Sequence, residues 1–270
     1  MATFETKGAT SDIKDMVRAR YGGIASEAGG SECCAPSSCC GATTAPVAEE
    51  KSRRMGYTDA ELAAVTEGAN LGLGCGNPQA IAALRPGEVV VDLGSGAGFD
   101  CLLAARQVGP SGRVIGVDMT HEMLKKARAN AARVGVANVV FRLGEIEHLP
   151  IADNMADVVI SNCVINLAPD KAQVFREAFR VLKPGGRVAV SDIISTAPMP
   201  PELQADPTLY CSCAAGAAPA DRLAAWLGEA GFVDVHVTPK PESREMISTW
   251  APGSRVEDYV VSAVIEALKP

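Results

Sequence analysis

Nine cysteines give this 270-residue chain its most distinctive chemistry. They are too few for a disulfide scaffold, which small secreted domains build at a Cys content above ~8–10%. We expect a cytoplasmic protein with reduced thiols, in which so many cysteines favour a metal or redox function. Incidental buried cysteines, acting as small apolar residues, are the alternative. Four of the nine crowd into the segment SECCAPSSCCGATTA and five are scattered: Cys33, Cys34, Cys39 and Cys40, then Cys75, Cys101, Cys163, Cys211 and Cys213.

The places of the scattered cysteines predict that several of them converge. Cys163 follows the run ADVVISN, which is typical of a buried strand. Ligands of open α/β sheets bind beyond the carboxyl ends of the strands, so this thiol is expected at a ligand site. Cys211 and Cys213 lie in a stretch that follows a later strand and can fold over the same edge, and Cys75 precedes the first strand. Cys101 falls within a predicted helix and is interpreted as a core residue.

Converging thiols select soft ligands. Zinc stays open, although Cys211-x-Cys213 with lone Cys163 and Cys75 lacks the paired Cys-x-x-Cys spacing of closed zinc sites. A trivalent soft centre, held by two or three sulfurs with its lone pair free, fits these positions better.

A glycine-rich turn predicts a second ligand site. The segment VVVDLGSGAGFD places Gly94, Gly96 and Gly98 between a strand and a helix, and Asp118 ends the next strand. A carboxylate at that place meets ribose hydroxyls in nucleotide-binding sheets. The dinucleotide pattern would need a third glycine at Phe99, which disfavours a nicotinamide enzyme. We therefore predict a nucleoside cofactor; a glycine turn that merely packs a helix on a sheet is the alternative.

The elements that must position these residues alternate along the chain. β-Branched runs predict five strands, at 88–94, 113–118, 138–145, 156–162 and 187–194, separated by helices at 99–109, 120–134 and 169–182. This alternation is typical of an α/β fold with a parallel sheet covered on both faces.

The two ends of the chain differ from this pattern. Towards the start we predict a helix at 11–20, a mobile Gly- and Ala-rich arm over 22–50, a second helix at 58–69, and a further helix from Pro78 through Leu84. Towards the end we predict an insertion at 196–218, a helix at 220–231, and strands at 232–237 and 259–268 that pair antiparallel. The resulting segments are an N-terminal part, a cofactor-binding domain and a C-terminal substrate-binding part: 1–70, 71–194 and 195–270.

Charge and composition exclude several classes of function. The formal net charge is −7 and aromatic residues make up 4%, which leaves neither the positive charge nor the rings that nucleic-acid binding uses. No uncharged apolar run is long enough for a membrane span, and the first residues carry no apolar signal region. We expect a cytoplasmic monomer that binds neither nucleic acid nor membranes.

The strand, glycine turn, helix and Asp118 together resemble the class I S-adenosylmethionine-dependent methyltransferases, over roughly residues 86–194. The resemblance implies a Rossmann-like sheet of seven strands, mainly parallel with the last strand antiparallel. It also implies that S-adenosylmethionine is the cofactor, with its methionine end at the glycine turn, its ribose at Asp118 and its adenine near Met119. The cofactor-binding residues that follow are Asp92, Gly94, Ser95, Gly96, Gly98, Asp118, Met119, Gly144, Glu145, Ile146 and Asn162.

Three further motifs and the four-cysteine arm resemble the bacterial arsenite methyltransferases over nearly the whole chain. These motifs are LGLGCGNP, ISNCVINL and LYCSCAAGA. The resemblance implies that Cys163 and Cys213 bind As(III) and that Cys75 exchanges with Cys163 as a disulfide partner. Cys211 is an extra thiol without an assigned use. The family's arm cysteine corresponds to any one of Cys33, Cys34, Cys39 or Cys40.

The expected reaction is methyl transfer to trivalent arsenic, delivered as arsenite or methylarsenite on a thiol such as glutathione. A disulfide formed during turnover would be reduced by a thioredoxin-type donor, and the products would be mono-, di- and trimethylated arsenicals, a detoxification reaction. Two alternatives remain: a methyltransferase for another small organic substrate, and a metalloid-binding protein without catalytic activity.

Overall fold

A computed structural model describes residues 5–27, 45–66 and 68–270 of the chain. The four arm cysteines, Cys33, Cys34, Cys39 and Cys40, lie outside the described residues. Among the helices within these ranges, none is both long enough and apolar enough to cross a membrane.

One twisted sheet forms the centre of the fold. Its order is β3-β2-β1-β4-β5-β8-β7, with a two-residue strand, β6, beside β5. The first five strands are parallel, and β8 runs antiparallel to both β5 and β7. The α/β class and the antiparallel C-terminal pair are therefore confirmed. The strands are β1 (Val89–Leu93), β2 (Arg113–Asp118), β3 (Val139–Leu143), β4 (Ala156–Asn162), β5 (Leu182–Ser195), β6 (Ala218–Pro219), β7 (Val233–Lys240) and β8 (Val260–Leu268).

Helices cover both faces of the sheet. Val90 and Val158 pack in one core layer with α4, α5 and α6, whereas Val91 and Val159 pack in the other with α7 and α10. Both faces are buried, which is why the strands are almost continuously apolar. The helices are α1 (Glu5–Glu27), α2 (Ala45–Arg54), α3 (Asp59–Ala64), α4 (Pro78–Ala82), α5 (Phe99–Val108), α6 (His121–Val134), α7 (Lys171–Val181), α8 (Pro201–Gln204), α9 (Pro207–Cys211), α10 (Ala220–Ala230) and α11 (Arg244–Ile247).

The N-terminal predictions need correction. The helix predicted over 11–20 is α1, which continues through Gly22 and Gly23 to Glu27. Gly22 lies against Thr120 and Glu122 of the α6 region, where a side chain would be crowded, so tertiary packing replaces the expected start of a mobile arm. The end of that predicted arm is also helical, because α2 begins at Ala45.

Two further boundaries were wrong. The helix predicted over 58–69 begins at the Thr58 cap as expected but ends at Ala64, because Val65 adopts an extended conformation. The strand predicted over 187–194 is β5, which already starts at Leu182, so the residues Lys183-Pro184-Gly185-Gly186 after α7 lie inside it. A shift in the pairing register with β4 accommodates these residues.

Candidate functional site

A cavity opens at the carboxyl ends of β1 and β4, where the strand order reverses. It encloses about 1120 Å³, counting the part open to solvent. Of the predicted site residues, Gly98, Glu145, Cys75 and Cys213 do not line it. The ten that do are Asp92, Gly94, Ser95, Gly96, Asp118, Met119, Gly144, Ile146, Asn162 and Cys163.

The glycine turn after β1 requires glycine for two reasons. Gly94 and Gly98 have φ values of 69° and 89°, in the region that side chains disfavour. A Cβ on Gly94 would also lie 2.5 Å from the Val164 side chain. The backbone therefore passes close to the loop after β4, and Gly98 starts α5 from a left-handed cap.

Asp118 ties this turn to β2. Its carboxylate accepts hydrogen bonds from the Gly96 N–H at 2.9 Å and the Thr120 N–H at 2.8 Å. Burial raises the pKa of Asp118, and these backbone donors partly offset the effect. A carboxylate offers about four lone-pair sites, so this one retains acceptor capacity for hydroxyl groups of a ligand.

Two buried polar atoms in the cavity wall have no partner within the described protein. They are the Ser95 hydroxyl oxygen and the Asn70 side-chain nitrogen. A buried polar atom without a hydrogen bond costs ~1–3 kcal/mol, so these atoms favour a polar ligand that completes them. This observation fits the amino-acid end of S-adenosylmethionine beside the glycine turn.

Two buried carboxyl groups, those of Asp92 and Asp100, line the cavity. Burial, and then neighbouring Asp100, raise the pKa of Asp92 well above its usual value. Burial raises the pKa of Asp100 to about 6. The Cys101 thiol donates to Asp92 at 3.2 Å, and Cys101 is otherwise buried in the core. A cationic ligand would stabilise both ionised carboxylates, which suits a sulfonium better than a pyrophosphate.

Three cysteines from distant segments meet beside this cavity. The sulfurs of Cys75 and Cys163 and a carboxylate oxygen of Asp192 lie within 4.8 Å of one another. The Cys213 thiol donates to the Cys163 carbonyl oxygen at 2.6 Å. All three thiols are buried and free, as is Cys211. The expected convergence of Cys75, Cys163 and Cys213 is therefore present in the structure.

Burial favours the protonated forms of the Cys163 and Cys213 thiols. Burial, followed by the adjoining thiols of Cys213 and Cys75, raises the pKa of Cys163 well above its usual value. The hydrogen bond with Cys163 lowers the pKa of Cys213, but burial together with the nearby Asp192 and Cys75 raises it, and the resulting pKa is about 11. Bond formation to a soft ion therefore requires that each thiol proton leave with the group that the sulfur displaces.

Asp192 and Lys171 flank the thiols and were missed by the sequence analysis. The Asp192 carboxylate accepts from the Ile165 and Ile193 N–H groups at 2.9 and 2.7 Å and from the Asn166 side chain at 2.9 Å. Burial raises the pKa of Asp192 to about 6 and lowers that of Lys171. No motif marks either residue, because only the fold brings β5 and α7 to the cluster.

Helix α1 closes one side of the cavity, which the sequence did not indicate. Lys14, Val17 and Tyr21 line it. Lys14 forms an ion pair with Glu145 at 2.6 Å, and the Tyr21 hydroxyl donates to the Cys211 carbonyl at 2.9 Å. The carboxylate of Glu145, predicted to bind the cofactor, thus contacts α1. The sequence does contain a signal for this contact, namely the two positive charges of Lys14 and Arg18, spaced four residues apart on α1.

Comparison with known proteins adds independent findings. A family model described as a methyltransferase domain matches residues 84–231. The arsenite methyltransferase of Halobacterium salinarum is 54% identical over 267 residues, which cover 96% of this chain and 67% of that protein. The human arsenite methyltransferase is 40% identical over 152 residues, covering 53% of this chain and 40% of that protein. The match thus spans about two thirds of the halobacterial relative and two fifths of the human one.

Two solved structures are also similar. An arsenic (III) S-adenosylmethionine methyltransferase from Chlamydomonas reinhardtii superposes with a TM-score of 0.60 at 31% identity, covering 82% of this chain and 73% of that one. Haemonchus contortus phosphoethanolamine N-methyltransferase 2, solved with S-adenosyl-L-methionine, gives a TM-score of 0.60 at 16% identity over 87% of this chain and 61% of its own. The second likeness supports the fold alone.

Proposed function

The chain belongs to the arsenite methyltransferase family, and from that premise we propose that it methylates trivalent arsenic held on Cys163 and Cys213, with S-adenosylmethionine as methyl donor. One observation carries this assignment of residues. Thiols from three distant segments gather beside a cavity whose wall includes Cys163. Incidental cysteines have no physical reason to meet at the ligand-binding edge of the sheet.

The cavity residues divide the work of holding the cofactor. S-adenosylmethionine would supply a methyl group that is carried on a cationic sulfonium. Once the methyl group is transferred, the rest of the cofactor is a neutral thioether and acts as the leaving group. Ser95 and Asn70 donate hydrogen bonds that the free protein leaves unmade, and Asp92 and Asp100 provide the opposite charge. Asp118 accepts from the ribose hydroxyls. The residues assigned to the adenine end are Met119, Gly144 and Ile146.

The thiols hold the arsenic and present its lone pair. Arsenite, or methylarsenite in a later round, arrives as a thiol conjugate, for which glutathione is our candidate. Each cysteine sulfur bonds to arsenic while one glutathione thiol leaves with the displaced proton. No general base is required, because the nucleophile is a lone pair. The protein therefore acts by positioning, which supplies ~7–11 kcal/mol in favourable cases.

Methyl transfer leaves the arsenic formally pentavalent, and Cys75 restores the trivalent state. The Cys75 sulfur attacks the Cys163 sulfur, an S–S bond forms and the Cys163–As bond breaks. The electron pair of that bond stays on arsenic, and the Cys75 proton passes to solvent. A thioredoxin-type donor then reduces the disulfide. Repetition would yield mono-, di- and trimethylated products.

The test uses one double cysteine variant and one matched control. Cys163→Ser with Cys213→Ser should bind S-adenosylmethionine but form no methylated arsenic from arsenite and glutathione. Cys211→Ser removes an equally buried thiol of the same loop and should retain activity. Products are identified by mass spectrometry. An active double variant would refute the assigned ligands, and a wild-type protein that methylates only an organic acceptor would favour a different substrate.

A further inference from the structure

The backbone of Cys75 is fixed on both sides by side chains from other parts of the fold. Its N–H donates to the Asn162 side-chain oxygen at 3.0 Å, and its carbonyl accepts from the Ser262 hydroxyl at 2.9 Å. Ser262 lies on β8, 187 residues away along the chain. We infer that Asn162 and Ser262 are positioning residues that hold the Cys75 sulfur in line for its attack on Cys163. This inference rests on the proposed function.

The hydrogen bonds of Asn162 favour this role over cofactor binding. Its side-chain NH₂ group donates to the Gly76 carbonyl at 2.8 Å and to the Tyr57 hydroxyl at 3.0 Å. An amide nitrogen has two hydrogens, so both are engaged. Tyr57 in turn donates to Asp100 at 2.7 Å, which anchors the group. Asn162 thus lines the cavity without a free donor, and its side chain is bonded instead to the Cys75 N–H and to the Gly76 carbonyl, one on each side of the Cys75 side chain.

The loop around Cys75 has no room to shift towards the sheet. A Cβ on Gly74 would lie 2.5 Å from the Asn162 side chain, and one on Gly76 would lie 1.9 Å from the Ser191 hydroxyl. Because Gly74 and Gly76 have no side chains, the loop can pack closely against the strand ends. Disulfide formation needs a Cα–Cα separation of ~4.4–6.8 Å. This range is narrow, so a small displacement of the loop would move Cys75 too far from Cys163 or turn its sulfur away.

The positioned step is the reductive one. Cys75 must approach the Cys163 sulfur opposite to the arsenic, because the S–As bond breaks as the S–S bond forms. Arsenic binding needs only Cys163 and Cys213. Loss of the Asn162 or Ser262 contacts should therefore slow disulfide formation while it leaves the affinity for arsenite unchanged, which separates positioning from general destabilisation.

The experiment compares four full-length proteins: wild type, Asn162→Ala, Ser262→Ala and Asn138→Ala. Asn138 is the matched control, since its side chain also donates to two backbone carbonyls, those of Ala105 and Gly109, away from the thiols. Each reduced protein receives the thiol oxidant diamide. Growth of the Cys75–Cys163 disulfide is followed by alkylation and peptide mass spectrometry, and arsenite affinity is measured separately.

We expect the Asn162 and Ser262 variants to form the disulfide about tenfold more slowly, with arsenite affinity within about twofold of wild type. Asn138→Ala should match wild type in both. Equal rates in all four proteins, or equal slowing in Asn138→Ala, would overturn the inference alone. If wild type forms no such disulfide yet methylates arsenite, the proposed reductive step falls as well; if it does not methylate arsenite, the proposed function falls.

Discussion

Both proposed arsenic ligands sit in an unusual backbone conformation. Cys163 and Cys213 have φ values of 61° and 66°, and Cys75 is not among the residues with positive φ. The left-handed region costs a residue with a side chain about 1–2 kcal/mol, which the surrounding structure must offset. Hydrogen bonds do so locally, for example from the Cys163 N–H to the Ser191 carbonyl at 2.8 Å. The backbone strain therefore lies at the two residues whose sulfurs are proposed to bind one arsenic ion.

The unpartnered Ser95 hydroxyl makes a sharp prediction about the cofactor. Ser95→Ala removes a group that has no hydrogen bond in the free protein, so the free energy of unfolding should not fall. Affinity for S-adenosylmethionine should fall about tenfold, because the ligand loses one donor in a buried setting. Isothermal titration calorimetry and thermal unfolding measure the two quantities.

Ser161→Ala is the control for this prediction. Its hydroxyl is also buried but donates to the Leu93 carbonyl at 3.2 Å, so the variant should lose stability and keep its cofactor affinity. Unchanged affinity in Ser95→Ala would mean that the Ser95 hydroxyl does not contact the cofactor.

Helix α1 contacts both the cavity and the segment that carries Cys211 and Cys213. Glu145 accepts from Lys14 and Arg18, and Lys14 also pairs with Glu147 at 3.0 Å. The hydrogen bond from Lys14 is the main cause of the lowered pKa of Glu145. One turn after Arg18, the Tyr21 hydroxyl donates to the backbone carbonyl of Cys211. The helix therefore closes over the cavity through a few polar contacts that single substitutions can remove.

Glu145→Gln should loosen α1 without unfolding the domain. The half-exposed Glu145 carboxylate pairs with two cations, and the loss of its charge should cost about 1 kcal/mol of the free energy that holds α1 in place. Amide hydrogen exchange in α1 should therefore rise about fivefold. Asp15→Asn, which removes an exposed ion pair with Arg18 on the same helix, should leave exchange unchanged. Equal exchange in Glu145→Gln and wild type would show that the ion pairs of Glu145 do not hold α1 in place.

At the scale of the whole molecule, the fold gathers buried acids at one edge of the sheet. Asp92, Asp100, Asp118 and Asp192 are all buried there, and burial raises the pKa of each. A carboxyl group whose pKa is higher in the folded state binds protons more readily than in the unfolded chain. Its ionisation therefore reduces stability as the pH rises through the folded value.

Asp192→Asn tests this relation. The pKa of Asp192 rises from 3.8 to about 6 on folding, so between pH 4 and 6 wild type should lose up to ~3 kcal/mol of stability relative to the variant. Denaturant unfolding at several pH values measures the difference in the free energy of unfolding between wild type and Asp192→Asn. The test is whether this difference changes with pH. A constant difference from pH 4 to 7 would contradict the raised pKa.

The sequence by itself determined the central architecture and predicted where the two proposed sites lie. β-Branched runs separated by amphipathic helices allow only a covered parallel sheet, and glycines after β1 with Asp118 after β2 mark its ligand edge. Cys163 was assigned to that edge because it directly follows a strand. These inferences depend on local patterns, which the chain carries at each position.

Only the tertiary structure decided how the remaining pieces close the site. The contacts of Tyr21 with the Cys211 loop, of Ser262 with Cys75 and of Asn162 with the Cys75 loop join residues far apart in sequence. Hydrogen bonds of this kind depend on loop paths and strand register, which no local periodicity encodes. The pKa values of the thiols and acids depend on burial, and burial is a property of the assembled molecule.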